Sequence, residues 1–174
     1  MTDGYDTHVD VDGDGHWDAH TVEANHDGGV DVLADMNHDS RPDFIGHDDN
    51  RDGLIDSAEY DTDYDGRFET HTTDHNGNGW QDHEVADRND DHRIDLVGFD
   101  SDEDGTFEHV VEDNNYNGHA DTVLEDRNYD KQFDLVAKDS DEDGHWNVVA
   151  DQDYDGKFDT VHYGDNDQNP YASH

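Results

Sequence analysis

The chain has 174 residues, 50 of them acidic and 9 basic, a formal net charge of −41 and a hydrophobic content of 29%. This charge repels nucleic-acid phosphates and anionic lipid surfaces, which excludes both as expected direct partners. There is no cysteine to form disulfides or thiolate metal sites, and no apolar run nears the roughly 18 residues of a bilayer span. Composition alone lies where a chain buries too little apolar surface to offset its ordering entropy, so it predicts disorder.

An internal period reverses that expectation. From Asp10 onward the pattern D-x-D/N-x-D/N-G-x-Φ-D/E, with Φ usually apolar, recurs every 12 or 13 residues. Residues 1–9 read as a partial N-terminal repeat or cap. The tandem domain then runs over 10–163 without a linker, and 164–174 hold a frayed last unit and a tail.

In chain order, the first unit presents Asp10, Asp12, Asp14 and Asp18 at positions 1, 3, 5 and 9. The second presents Glu23, Asn25, Asp27 and Asp31, and the third Asp35, Asn37, Asp39 and Asp43. Asp48, Asn50, Asp52 and Asp56 follow, with Glu59 at a twelfth position. Next come Asp61, Asp63, Asp65 and Glu69, and then Asp74, Asn76, Asn78 and Asp82. The middle of the chain holds Asp87, Asn89, Asp91 and Asp95, and Asp100, Asp102, Asp104 and Glu108. Asp113, Asn115, Asn117 and Asp121 precede Asp126, Asn128, Asp130 and Asp134. The last two units supply Asp139, Asp141 and Asp143, and Asp151, Asp153, Asp155 and Asp159. All of these are candidate metal ligands.

Calcium takes six to eight oxygen ligands, and a tight loop supplies them from positions 1, 3, 5, 7 and 9, the seventh through its backbone carbonyl. Position 7 is accordingly free to vary, as His16, Leu54, Arg67, Thr106 and His145 do. Position 6 must turn sharply and is usually glycine, replaced by Ser40, His92 and Lys131 in three units where weaker binding is expected. Two carboxylates about 4 Å apart repel by about 1 kcal/mol in water and about 4 kcal/mol at an effective dielectric of 20. Converging three or four is therefore uphill without a multivalent cation. Twelve divalent ions would bring the charge from −41 to about −17.

The stretch from Asp48 to Glu59 reads as a complete EF-hand-type loop, but the next loop opens at Asp61 and another closes at Asp43, leaving no room for flanking helices. The segments between loops are four or five residues long and rich in Val, Ile, Leu and Thr, such as "DVLA", "DLVG" and "DTVLE", which favours strands. Two apolar columns emerge. Position 8 holds Trp17, Val30, Ile55, Phe68, Ile94, Phe107, Phe133, Trp146 and Phe158, read as core residues. Position 11 holds Leu33, Ile45, Val97, Val110, Val123, Val136, Val149 and Val161. Their separation predicts a bend near position 9. No unit can bury its own apolar side chains, so stacking is required. The expected fold is all-β: a calcium-stabilised parallel β-solenoid, a β-roll or three-sided β-helix, of about twelve 13-residue units. An irregular calcium string is the alternative. The block from Asp87 is echoed 39 residues later, which fits three units per coil or a duplication with two.

In its loops, "DVDGDGHWD", "DTDYDGRFE" and "DQDYDGKFD", the chain resembles thrombospondin type 3 repeats and calcium repeats of bacterial surface proteins. Units ending "DFIG", "DLVG" and "DLVA" are similar to integrin-type propeller calcium loops. Thrombospondin repeats carry cysteines and propeller loops are a blade apart, unlike these. The calcium β-roll of RTX proteins is the nearest architectural analogy, without its glycine-rich nine-residue unit here. These resemblances imply metal binding, and fold only weakly.

The 15 histidines, among them His26, His38, His75, His83 and His119, lack the paired spacing of a zinc site. They are expected to be solvated and to loosen the structure as they charge in mild acid. No phosphate loop, nucleophile elbow or supported nucleophile stands out, so no catalysis is expected. The expected role is a calcium-dependent structural or adhesive element, secreted or on a cell surface, whose partner is a surface or extracellular protein or a glycan. The competing expectation is a low-affinity calcium reservoir or a mineral-surface protein.

Overall fold

A computed structural model describes residues 11, 16, 18–26 and 28–164. They form twelve strands and no helix. In order these are β1 (His20–Ala24), β2 (Val30–Ala34), β3 (Phe44–Asp48), β4 (Ser57–Tyr60), β5 (Thr70–Thr73), β6 (His83–Ala86), β7 (Leu96–Phe99), β8 (His109–Glu112), β9 (Thr122–Glu125), β10 (Leu135–Lys138), β11 (Asn147–Ala150) and β12 (Thr160–His162). Most strands fall in the short segments foreseen between acidic loops, but His20–Ala24 runs into the unit expected to open at Glu23, and Thr70–Thr73 has no aliphatic residue. Contacts divide the chain into two units, 1–84 and 85–174, with the boundary inside β6.

The expected parallel solenoid is corrected: every pairing described is antiparallel between strands consecutive in sequence. In the first unit β1 to β5 pair this way, with Val32 opposite Gly46, Gly46 opposite Ala58 and Ala58 opposite Thr72. In the second, β7 to β12 do the same. The reason lies in the loop. Its position-9 N–H donates to the carbonyl just before position 1, as Asp43 to Ala34 at 2.8 Å, Asp95 to Ala86 at 2.8 Å and Asp134 to Glu125 at 2.7 Å. That bond closes the acidic loop as a hairpin connection, whereas parallel neighbours need a crossover of a dozen or more residues.

Reversal at every loop also changes the apolar columns. Position 11 meets position 11 in some pairs, Leu33 with Ile45 and Val136 with Val149 and then Val161, but not in others: Val97 faces Val111 while Gly98 faces Val110, and Val110 faces Leu124. The position-11 ladder is thus interrupted within each unit, Ile45 facing Glu59 and Val136 facing Leu124. The bend expected near position 9 is present at Asp43, Asp56, Glu108 and Asp134, where the loop passes into the strand.

Core packing is thin. In the first unit Val32, Ala34, Phe44 and Ala58 form a buried cluster, with Ile55 and Tyr60 against it. The Phe44 and Tyr60 ring centroids lie 5.1 Å apart. Gly46 makes room for this, since a Cβ there would come within 2.9 Å of the Phe44 ring and 3.0 Å of Ile55. Gly98 plays the same part beneath Phe107 in the second unit. The position-8 side chains Ile94, Phe133 and Phe158 are exposed rather than in a core. Among the described residues nine hydrophobic side chains are buried against thirteen carboxylates, so the interior of this protein is chiefly acidic.

Candidate metal centres

The loop opening at Asp48 shows how the sequence builds each acidic turn. The Asp48 carboxylate is fully buried and accepts the N–H groups of Arg51 at 2.6 Å and Gly53 at 3.0 Å. Asn50 Oδ1 accepts from Asp52 N at 2.8 Å, and Asp52 Oδ1 accepts from Leu54 N at 2.9 Å. Asp56 Oδ2 reaches back to Asp49 N at 2.8 Å. Short polar side chains that bond their own backbone two to five residues on are what hold the turn.

Ten loops, opening at Asp35, Asp48, Asp61, Asp74, Asp87, Asp100, Asp113, Asp126, Asp139 and Asp151, share this frame. In all ten the position-1 carboxylate accepts the position-6 N–H, at 2.6 to 3.0 Å. Ser40, His92 and Lys131 adopt the left-handed backbone of the glycines they replace and make the same bond, so those turns keep their geometry. Position 4 is left-handed in all ten as well, and only Gly77 is a glycine there; Tyr64, Tyr116, Tyr129 and Tyr154 are among the others. The sequence pattern gave no sign of this second left-handed residue.

Among the described residues, four groups of carboxylates come close enough to hold a metal ion, with one oxygen from each residue within 4.8 Å of the others. They are Asp100, Asp102, Asp104 and Glu108; Asp61, Asp63 and Glu69; Asp139, Asp141 and Asp143; and Asp151, Asp153 and Asp159. In each the position-1 residue is buried while positions 3 and 5 reach solvent. Burial pushes the Asp74 carboxyl up, but N–H donors from Gly79, Gly77, Asn78 and Asn76 outweigh it and leave it below the ordinary range. Asp151 is held low in the same way. Position 3 feels the opposite: the charge of Asp155 pushes Asp153 up, aided by desolvation and by Asp151 and Asp159. Burial, with the charges of Asp102 and Asp100, likewise raises Glu108. Fixed anions thus face carboxyls that resist ionising, a conflict that an oxygen-seeking cation relieves.

Asp139 gives the sharpest fit to such an ion. It is 6% exposed, its Oδ2 accepts Gly144 N, and its buried Oδ1 has no hydrogen-bond partner. A buried carboxylate oxygen without a donor is costly, and the neighbouring side chains are further carboxylates.

In other loops a protein donor occupies the position-9 oxygen. Asn37 Nδ2 lies 3.2 Å from Asp43 Oδ1, Asn50 Nδ2 3.1 Å from Asp56 Oδ1, and Asn114 Nδ2 3.1 Å from Asp121 Oδ1. Arg88 Nε sits 2.6 Å from Asp95 Oδ1, and His75 Nδ1 2.9 Å from Asp82 Oδ1. The ligands proposed at Asn76, Asn78, Asn89, Asp91, Asn115, Asn117, Asp126, Asn128, Asp130 and Asp134 all lie in loops of the shared frame, outside the four carboxylate groups.

Two sequence-predicted positions are placed elsewhere. Glu23 is exposed in β1, opposite Asp31, and the β1–β2 connection is too short for the nine-residue turn. There Asn25 Nδ2 donates to Asp31 Oδ1 at 3.1 Å, and His47 lies 3.0 Å from the same oxygen. Glu59, the twelfth-position candidate, lies in β4 beside His71 at 3.6 Å rather than at the Asp48 loop. Asp18 does keep the position-9 role, accepting Val11 N at 2.7 Å. Asp10, Asp12, Asp14 and Asp27, with Trp17, the 1–9 cap and the unit from Asp165, lie outside the described residues.

Basic residues inside the loops were the missed participants. Eight of the nine lysines and arginines fall between positions 2 and 7 of a loop, a bias visible in the sequence itself. Lys131 reaches from its own loop to the Asp100 loop, with Nζ 3.0 Å from Asp104 Oδ2 and 3.2 Å from its carbonyl. No family model, curated protein or solved structure matches the chain.

Proposed function

We propose that this chain is a multi-site calcium-binding module that folds on calcium and serves as an extracellular structural or adhesive element. The observation that carries the reading is the buried, donorless Oδ1 of Asp139 among the carboxylates of Asp141 and Asp143. Every side-chain ligand in the four groups is an oxygen, and in loops of this spacing the position-7 backbone carbonyl would add another. That set suits calcium, which accepts many oxygens in irregular geometry; magnesium demands a near-ideal octahedron and keeps its waters, and zinc prefers nitrogen or sulfur. The ion supplies cohesion that a small apolar core does not, so binding and folding are one event. Millimolar extracellular calcium fills such loops, whereas resting cytosolic calcium leaves weak ones empty.

No catalytic role is proposed. A reservoir or mineral-surface role is the second reading, favoured by exposed position-3 and position-5 carboxylates and by loops whose position-9 oxygen already has an amide or guanidinium donor. Calorimetric titration of the calcium-free protein, with metal analysis of the folded form, separates the two. Several tight sites with a folding heat support the structural module. Many weak sites without folding support the reservoir, and no calcium uptake sinks both.

A further inference from the structure

Loops adjacent in sequence sit at opposite ends of the strands, because each loop reverses the chain. Alternate loops, 25 or 26 residues apart, are therefore neighbours along one edge. They are joined by a backbone bond that recurs through both units: the position-1 N–H of one loop donates to the position-9 carbonyl of the loop two before it. In the second unit Asp113 donates to Asp95 at 2.9 Å and Asp139 to Asp121 at 3.0 Å on one edge. On the other, Asp126 donates to Glu108 at 2.9 Å and Asp151 to Asp134 at 2.8 Å. Each bond links a ligand residue of one candidate site directly to a ligand residue of the next.

We propose that cation binding is cooperative along each edge, between alternate loops 25 or 26 residues apart, and not between loops adjacent in sequence. This rests on the calcium reading above. A cation that fixes position 9 of one loop fixes the carbonyl on which position 1 of its edge neighbour hangs. Side chains strengthen the same link, since Lys131 of the Asp126 loop grips Asp104 of the Asp100 loop.

Distance alone does not produce this selectivity. Edge neighbours are two strand spacings apart, about 9.5 Å, and sequence neighbours are separated by a four-residue strand, about 13 Å. Both are near the screening length at physiological salt, so direct repulsion between sites is weak in either direction. The hydrogen-bonded link exists along the edge alone.

The test is a calcium titration of the full chain followed by two-dimensional NMR. The amides of Gly105, Gly118, Gly144 and Gly156 serve as reporters, because each donates to the position-1 carboxylate of its own loop. Asp126→Asn weakens one loop while keeping an acceptor for the Lys131 N–H. Affinity read at Gly105 and Gly156, the edge neighbours, is expected to fall roughly 3- to 10-fold, the scale of one ordinary hydrogen bond. Affinity at Gly118 and Gly144, the sequence neighbours, is expected to change less than about twofold.

Asp113→Asn exchanges the pattern, moving Gly144 and sparing Gly105. Equal shifts at all four glycines, or larger shifts at the sequence neighbours, overturn the cooperativity while leaving calcium binding intact. A parent protein whose glycine amides do not respond to calcium overturns the calcium reading and this inference with it.

Discussion

Replacing Asp61 by alanine removes an acceptor from two backbone donors, Gly66 N at 2.8 Å and Asp65 N at 3.1 Å, the latter also bonded to Asp63 Oδ1 at 3.1 Å. Hydrogen bonds to a charged acceptor are worth about 1.5–3 kcal/mol each. Asp65 and Gly66 are exposed, so water recovers part of the loss, and the low end, about 3 kcal/mol for the pair, is the expected direct cost. A second effect grows with calcium. Each site that binds only the folded state adds about 1.4 kcal/mol of stability per tenfold rise in free calcium once saturated. Urea unfolding at a series of buffered calcium concentrations, read by circular dichroism, separates the two effects. The gap between parent and Asp61→Ala is expected to start near 3 kcal/mol and widen by about 1.4 kcal/mol per decade. A gap that stays constant shows that Asp61 serves only its own backbone, and the metal assignment at this loop fails.

Other expectations follow from single contacts. Tyr129 is left-handed at φ 63° and about half exposed, so Tyr129→Asn relieves backbone strain and is expected to stabilise the protein by about 0.5–1 kcal/mol in the same unfolding assay. Gly98→Val places a side chain where Phe107 lies within 3.0 Å and is expected to cost about 1–3 kcal/mol, seen as a lowered melting temperature. In acid, Asp74 and Asp151 matter because backbone donors hold their carboxyls below the ordinary value. A group depressed by folding stabilises above its unfolded pKa, about 3.9, and that stability is lost as pH falls through the lower folded value. Thermal melts in saturating calcium are thus expected to hold from pH 7 to 5 and to collapse below about pH 4.

That flat region departs from what the histidine content suggests. His47 lies opposite Asp31, His71 opposite Glu59 and His109 opposite Glu125, each pair on neighbouring strands and within 4.0 Å. Each of these places a ring beside a carboxylate across the sheet, whereas His83 lies 5.2 Å from His75 between ring centroids, and burial with that neighbour holds it below its ordinary value. Partner identity is a property of register, and composition does not carry it.

Strands such as Leu96–Phe99 and Thr122–Glu125 were legible because a short β-branched run between acidic turns has few alternatives. The turn frame at positions 1, 3, 5 and 9 was legible for the same reason, since Asp and Asn at those offsets bond their own turn. Strand direction was not. A 13-residue period is the same whether the loop carries the chain onward or reverses it, and the deciding contact is a backbone bond, Asp95 N to Ala86 O, which leaves no side-chain mark. Position 4 stayed hidden because tyrosine, histidine and acidic residues fill it where glycine would have signalled its conformation. Glu23 and Glu59 matched by spacing alone and were displaced once the strands claimed them.

Small-angle scattering and circular dichroism on the same sample, before and after exhaustive EGTA dialysis, bear most directly on whether bound cations hold this fold. Loss of the strand signal, with expansion toward the roughly 44 Å radius of gyration of an unfolded chain this long, is the expected result, reversed by restoring calcium. An unchanged scattering profile and spectrum in metal-free protein would contradict it.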